Sequence, residues 1–419
     1  MRVAKYLVCA CATLVVFRAP AQELFISGAK VHTVTAQGTL ENANVLVRDG
    51  KIMSVGKGLA APAHAQVVDA KGRILTPGLF GGLSHTGIVE LRMEPRTADA
   101  NLQLGGPAWQ QQWRPEFDVT LAYNPNSARV GIIRIEGTTW TVLTPASDQA
   151  VIAGQGAAVS LDGHYDAVLA GSRSLFVQMG SEASPQAGGS RAAQFMLLDQ
   201  AISETRDTGP IHPGALLHPA GRQALARYLR GGRVVFSAHR ASDIHLIIAF
   251  AARNGMKAVI RGASEAWMVA DELARADVPV ILDAFNNLPQ DFDRLAARRD
   301  NAALLQKAGV RIAFLAPYLD QDGRKIRQVA GNAVAQGLAW DAALASITAN
   351  PADIFGLGGT RGRIAAGQVA DLVLWSGDPL EVTSVAEQVW IAGHALDMRS
   401  RQTELRDRYV ERVKAHRAR

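Results

Sequence analysis

Three short apolar runs in this chain each end on a group that can bind a metal ion or move a proton. The run from Ile74 breaks at Pro77-Gly78 and delivers His85. Val234-Val235-Phe236 leads to His239, and Val278 to Leu282 leads to Asp283. Strands that end in such groups are how a barrel enzyme presents metal ligands at its catalytic face. A lone histidine at a strand-to-loop junction is more often structural, so His85 acquires meaning only from its company. Arg261 and Glu265 follow a fourth run, Ala258 to Ile260. There an ion pair of Glu265 with Arg261 or Arg240 is favoured over a catalytic role. His245 falls within a helical pattern and reads as exposed or packed. His212 and His218 flank Pro213-Gly214 in a polar loop and match no ligand spacing. Trp109, Trp113 and Tyr123 read either as a roof over a pocket or as loop packing. Gly154-Gln155-Gly156 reads as a glycine-rich turn. No Gly-Lys-Ser/Thr follows it, so it is not a phosphate loop.

Positioning such groups needs a scaffold, and the chain supplies one in three textures. Residues 23–72 hold short β-rich runs with turn signals at Asp49-Gly50 and Lys71-Gly72. The same texture returns after Gly362, with Asp371 to Trp375 and Gln388 to Gly393. The two ends are expected to meet in one small domain. Between them, strands alternate with helices. The helix after His239 carries Ile244, Ile247, Ile248 and Ala251 at i, i+3, i+4, i+7, and Gly255 closes it. Earlier strands are expected at 139–143, 157–161 and 174–177. Residues 88–125 and 180–225 read as long loops over one face. The expected fold is α/β: a TIM-type (β/α)8 barrel with a small β-sandwich domain formed by both chain ends. The domains are expected at 22–76 plus 363–398 for the sandwich, 77–362 for the barrel and 399–419 for a basic helical tail.

With 48% hydrophobic and 20% charged residues, the 419-residue chain has the composition of a globular protein. Residues 1–21 read as a signal peptide, with Arg2 and Lys5, a short apolar stretch and Ala19-Pro20-Ala21 for cleavage. Export to the periplasm or outside is expected, with no stable membrane span after cleavage. Cys9 and Cys11 are the chain's 2 cysteines, both in this segment. The remainder therefore has no disulfide, thiolate metal site or cysteine nucleophile. Of the formal +6 charge, residues 1–21 carry +3 and residues 399–419 carry +5, which leaves the body at −2. The high pI is thus terminal and gives no support for a nucleic-acid partner.

The motifs together resemble the amidohydrolase superfamily, in particular its exported imidazolonepropionase-like branch. They are Thr76-Pro77-Gly78-Leu79, Arg134 to Gly137, Ile152 to Gly156, Ser237 to Ile244, Ala330 to Gly337, Asn350 to Gly356 and Gly362 to Pro379. The resemblance implies metal-dependent hydrolysis of a C–N bond, in which a metal activates water and a carboxylate carries the proton. It also implies a ligand set that this chain holds only in part. The first-strand His-x-His stands as Leu83-Ser84-His85, and the fifth-strand histidine as His239. No lysine lies between Lys71 and Lys257 to bridge two metals, and Glu182 has no aligned role. The sixth-strand histidine falls near Gly262 and the eighth-strand aspartate near Pro317, and both are missing unless Asp320 or Asp322 swings in.

A binuclear centre is therefore not expected. One divalent metal, zinc above others, on His85, His239 and a recruited Asp283, Asp320 or Glu265 is one expectation, and no metal is the other. Two functions stay open. One is a hydrolase acting on non-peptide or cyclic C–N bonds with at most a reduced mononuclear site. The other is a catalytically inactive homologue acting as a binding or scaffold protein. Either takes a small-molecule substrate or ligand.

Overall fold

The computed structural model describes residues 23–102, 112–146, 150–317 and 322–417. The expected signal peptide with Cys9 and Cys11, Trp109 and Asp320 lie outside the described residues, as does the side chain of Asp322.

The β-rich ends of the chain build one eight-stranded sheet. Its strands are β1 (Glu23–His32), β2 (Thr39–Arg48), β3 (Lys51–Gly56), β4 (Gln66–Asp69) and β5 (Ile74–Pro77). Residues from the far end add β15 (Leu372–Trp375), β16 (Ala386–Ile391) and β17 (His394–Ala395), through β15 antiparallel to β5. Asp49 and Gly50 both take positive φ, the backbone of a tight hairpin between β2 and β3. The domain expected as a sandwich is built from one continuous hydrogen-bonded sheet that bends on itself. The reason lies in β1. Its pairing with β2 shifts register between Ile26 and Ala29, around Gly28 at φ +64. The strand bends there, and its two halves pair with β4 and then β5. The sheet thereby encloses one core, with Leu24, Ile26, Val45, Val47, Leu75 and Trp390 all buried.

The middle of the chain forms β6 (Leu79–Ser84), β7 (Thr138–Leu143), β8 (Ile152–Gly156), β9 (Ala158–Ser160), β10 (Ser174–Gln178), β11 (Arg233–Ala238), β12 (Lys257–Gly262), β13 (Val280–Leu282) and β14 (Ile312–Phe314). They lie in two sheets, ordered β14-β13-β12-β11-β10-β8 and β6-β7-β9. From β10 to β14 the ladders are parallel, with helices such as Ala241–Arg253 and Asn301–Lys307 between strands. β8 departs from the expected all-parallel barrel and runs antiparallel to β10. Inward side chains of both sheets share one apolar lumen, with Phe80, Trp140, Phe176, Val235, Val259 and Ile281 among them.

Three local expectations change. The run from Ile74 divides between β5 and β6, and hence between two sheets, at Gly78. A Cβ there would stand 2.2 Å from Thr139 Oγ1, so only glycine lets the chain pass. Gly154-Gln155-Gly156 is strand, not turn. A Cβ on Gly156 would lie 1.9 Å from the Leu143 carbonyl oxygen, so its glycine serves close backbone approach. Residues 180–225, expected as loop, hold the helix Arg191–Arg206 and the start of the helix Pro219–Tyr228. The first buries Gln194, Leu198, Ala201 and Ile202, and a polar residue in that stripe hides its period. The helix after His239 buries Ile244, Ile247, Ile248 and Ala251 as its spacing requires. Among the described residues, no helix is long and apolar enough to cross a membrane.

Candidate functional site

Alternation along the parallel strands builds the site. Side chains two residues apart share a face of a strand. Phe176, Val235 and Val259 fill the lumen on β10, β11 and β12, so Gln178, Ser237 and Arg261 stand one layer above them. The register aligns these three directly, Gln178 with Ser237 and Ser237 with Arg261. Asp283 and Leu315 lie two residues beyond the lumen residues Ile281 and Ala313. All five line one pocket of about 250 Å³ at the carboxyl ends of the strands. Its walls add His239, Ser264 and Gly262 on one side and Glu182, Asn286 and Arg294 on another.

His239 follows β11. Its Nδ1 lies 2.8 Å from Ser264 Oγ, which fixes the ring orientation. Burial lowers its pKa to about 4, and the cationic Arg294 and Arg261 push the same way against Asp291 and Asp293. The imidazole is therefore neutral at physiological pH. The ring lies over Gly262, where a Cβ would stand 2.6 Å from His239 Cε1. Asp283 accepts from the backbone N–H groups of Phe285 (2.8 Å) and Asn286 (3.0 Å), and from Asn286 Nδ2 (2.6 Å). It lines the pocket but is held in its own turn.

Of the other sequence candidates, His85 is buried just beyond β6 and is not among the residues lining the pocket. Glu265 is buried as well, and pairs with neither Arg261 nor Arg240. Its carboxylate accepts from Ala241 N (3.1 Å) and Ala296 N (3.0 Å), tying a helix start to the loop after β13. Glu182 bonds Arg294 at 3.2 Å with its carboxylate largely exposed. His245 pairs with Glu272 at the surface, and His218 caps the helix Pro219–Tyr228. Trp113 is buried, and the Tyr123 hydroxyl donates to the Ser160 carbonyl at 3.3 Å, so both pack the loop down.

Sequence reasoning passed over Gln178, Ser237, Ser264, Asn286 and Arg294. For Gln178 and Ser237 a signal existed, since each is the first polar residue ending an apolar strand. Arg294 carries no local signal. It reaches the pocket because Asp293, next to it, is anchored by Ser181 N (2.8 Å), Ser181 Oγ (2.7 Å) and Arg191. Burial alone would raise the Asp293 pKa, but the Ser181 bonds and the Arg191 charge outweigh it and hold it below its usual range.

These residues do not fit a divalent metal. Leu83 is fully buried in the lumen cluster and is not among the residues lining the pocket. The His239 ring occupies the volume in which a side chain at position 262 would begin. Arg261 brings a like charge to the same wall. Among the described residues, no three His, Asp or Glu side chains are grouped so as to hold a metal. The expected single-metal set of His85, His239 and Asp283 or Glu265 is thus not assembled.

Comparison with known proteins places these features in context. A model of the Amidohydrolase family matches residues 320–396. Amidohydrolase tasK of Hapsidospora irregularis is 52% identical over 59 residues, 14% of this chain and 6% of that protein. A dihydroorotase of Geobacter sulfurreducens is 54% identical over 57 residues, 14% of this chain and 13% of that protein. The chain therefore matches only a small part of these curated relatives. The crystal structure of an amidohydrolase from Thermotoga maritima superposes with a TM-score of 0.79 at 24% identity, over 90% of this chain and 100% of that one. The fold is the one seen in that solved structure, and the match over residues 320–396 supports a place in the amidohydrolase superfamily.

Proposed function

We propose that this chain binds a small polar molecule at the mouth of an amidohydrolase barrel without a catalytic metal. The observation that carries this reading is the position of His239. Its ring fills the place where a sixth-strand ligand would start, with its Nδ1 committed to Ser264. Leu83 in the lumen removes a second ligand, and Glu265 is committed to backbone N–H groups. The pocket itself persists, with its polar side chains facing about 250 Å³ of space. Such a cavity suits a compact ligand.

A second reading, hydrolysis of a non-peptide or cyclic C–N bond, is favoured by one observation. A neutral imidazole and a carboxylate, His239 and Asp283, line the same cavity. Metal content and amide hydrolysis, measured together, separate the two readings. The full-length protein is purified without chelator, supplied with zinc and manganese, and desalted. Under the binding reading it retains less than about a tenth of an equivalent per chain. Amide hydrolysis abolished by His239→Ala, with or without about one equivalent of metal, would overturn the binding reading in favour of the hydrolase.

A further inference from the structure

The polar row on the pocket floor has a chemical bias. Gln178, Ser237 and Arg261 stand side by side on three parallel strands, above an apolar layer. Among the described residues, none of these three side chains has a hydrogen-bond or ion-pair partner. The Arg261 guanidinium thus faces the cavity without a bonded acceptor, the charge of Glu182 acting on it only at longer range, and is free to take one from a ligand. The pocket's other cation is already committed, since Arg294 is paired with Glu182 at 3.2 Å and Asp291 at 3.3 Å. Asp283 is held by Asn286 on the facing wall.

We infer that the pocket binds a small monocarboxylate, its carboxylate forked on the Arg261 guanidinium, with Gln178 and Ser237 completing the contacts. The fork geometry of arginine matches a carboxylate with two parallel N–H···O bonds. A single negative charge suits the surroundings. Glu182 and Asp283 on the walls oppose a second one, which disfavours a phosphate dianion. The volume of about 250 Å³ limits the rest of the molecule to a few heavy atoms beyond the carboxylate. Binding is coupled to His239, which lines the same cavity. Arg261 opposes protonation of that ring, so neutralising Arg261 with an anion makes protonation easier.

This inference rests on the metal-free reading and names the ligand of that pocket. The test titrates the full-length protein with N-acetylglycine, propionate, benzoate, N-acetylglycinamide and inorganic phosphate by calorimetry. Histidine ring resonances are followed by NMR, and metal content is measured on the same samples. At least one of the three carboxylates is expected to bind saturably, and the neutral amide and phosphate at least about tenfold more weakly. Arg261→Gln lowers carboxylate affinity at least about tenfold, and Arg261→Lys, which keeps the charge but not the fork, falls between. Saturation moves the His239 titration to higher pH. The inference fails if none of the carboxylates binds at millimolar concentration, or if amide or phosphate binds as well as the acids. It fails equally if folded Arg261→Gln and Arg261→Lys both bind like the parent. About one equivalent of zinc in the samples sinks the metal-free reading whatever the titration gives. A failed titration in metal-free protein sinks this inference alone.

Discussion

Gly262→Ala probes the arrangement on which the functional reading depends. Gly262 has φ +94, a backbone conformation that costs a side-chain-bearing residue about 1–2 kcal/mol. Its Cβ would stand 2.6 Å from His239 Cε1 and 2.8 Å from Nε2, well inside van der Waals contact. The His239 ring is pinned at 2.8 Å from Ser264 Oγ and half-buried, so it cannot give way without breaking that bond. Overpacking of this kind costs about 1–3 kcal/mol, and the lost hydrogen bond about 1 kcal/mol more. The variant is therefore expected to lose about 3–6 kcal/mol of stability in urea unfolding. Because the ring is pushed toward solvent, its pKa should rise from about 4 toward 6.5, read from its NMR titration. A loss under about 1 kcal/mol with His239 still titrating near 4 would refute the claim that the ring fills the position-262 volume. Gly262→His follows the same logic. It should fail to create a metal site, since the added side chain meets the ring before it meets a metal.

Two further outcomes follow from the charges. His239 titrates near 6.5 unfolded and near 4 folded, so the unfolded chain takes up the proton first. Its contribution is complete above about pH 6.5 and is lost as pH falls through about 4, roughly 3 kcal/mol in all. The difference between parent and His239→Gln unfolding free energies, measured from pH 7.5 to 4, isolates this component, and a flat difference would contradict it. Arg327 donates to the carbonyls of Pro379 (3.0 Å), Glu381 (3.3 Å) and Ser384 (3.2 Å) and stacks 4.8 Å above the Trp375 ring. Arg327→Met strands those buried acceptors and should cost about 3 kcal/mol, with faster amide exchange across the segment between β15 and β16. Unchanged exchange there would show that the segment is held by other contacts.

Much of this protein is legible in its residues because the signals are local. The hairpin at Asp49-Gly50, the helix carrying Ile244, Ile247, Ile248 and Ala251, and the apolar runs ending at His239 and Asp283 depend on neighbours a few positions away. What the sequence could not determine is which of these groups meet. His85 and His239 look equivalent as strand-end histidines, yet only His239 lines the pocket. Glu265 and Asp283 look equivalent as strand-end carboxylates. One is spent on the backbone N–H groups of Ala241 and Ala296, 24 and 31 residues away, and the other faces the cavity. The glycines of β8 read as a turn until the Leu143 carbonyl is seen against Gly156. The row of Gln178, Ser237 and Arg261 exists only through register between strands more than 20 residues apart. Residue type and period specify the elements. Register, shear and the filling of space between elements decide which side chains share a cavity, and those are properties of the packed chain alone.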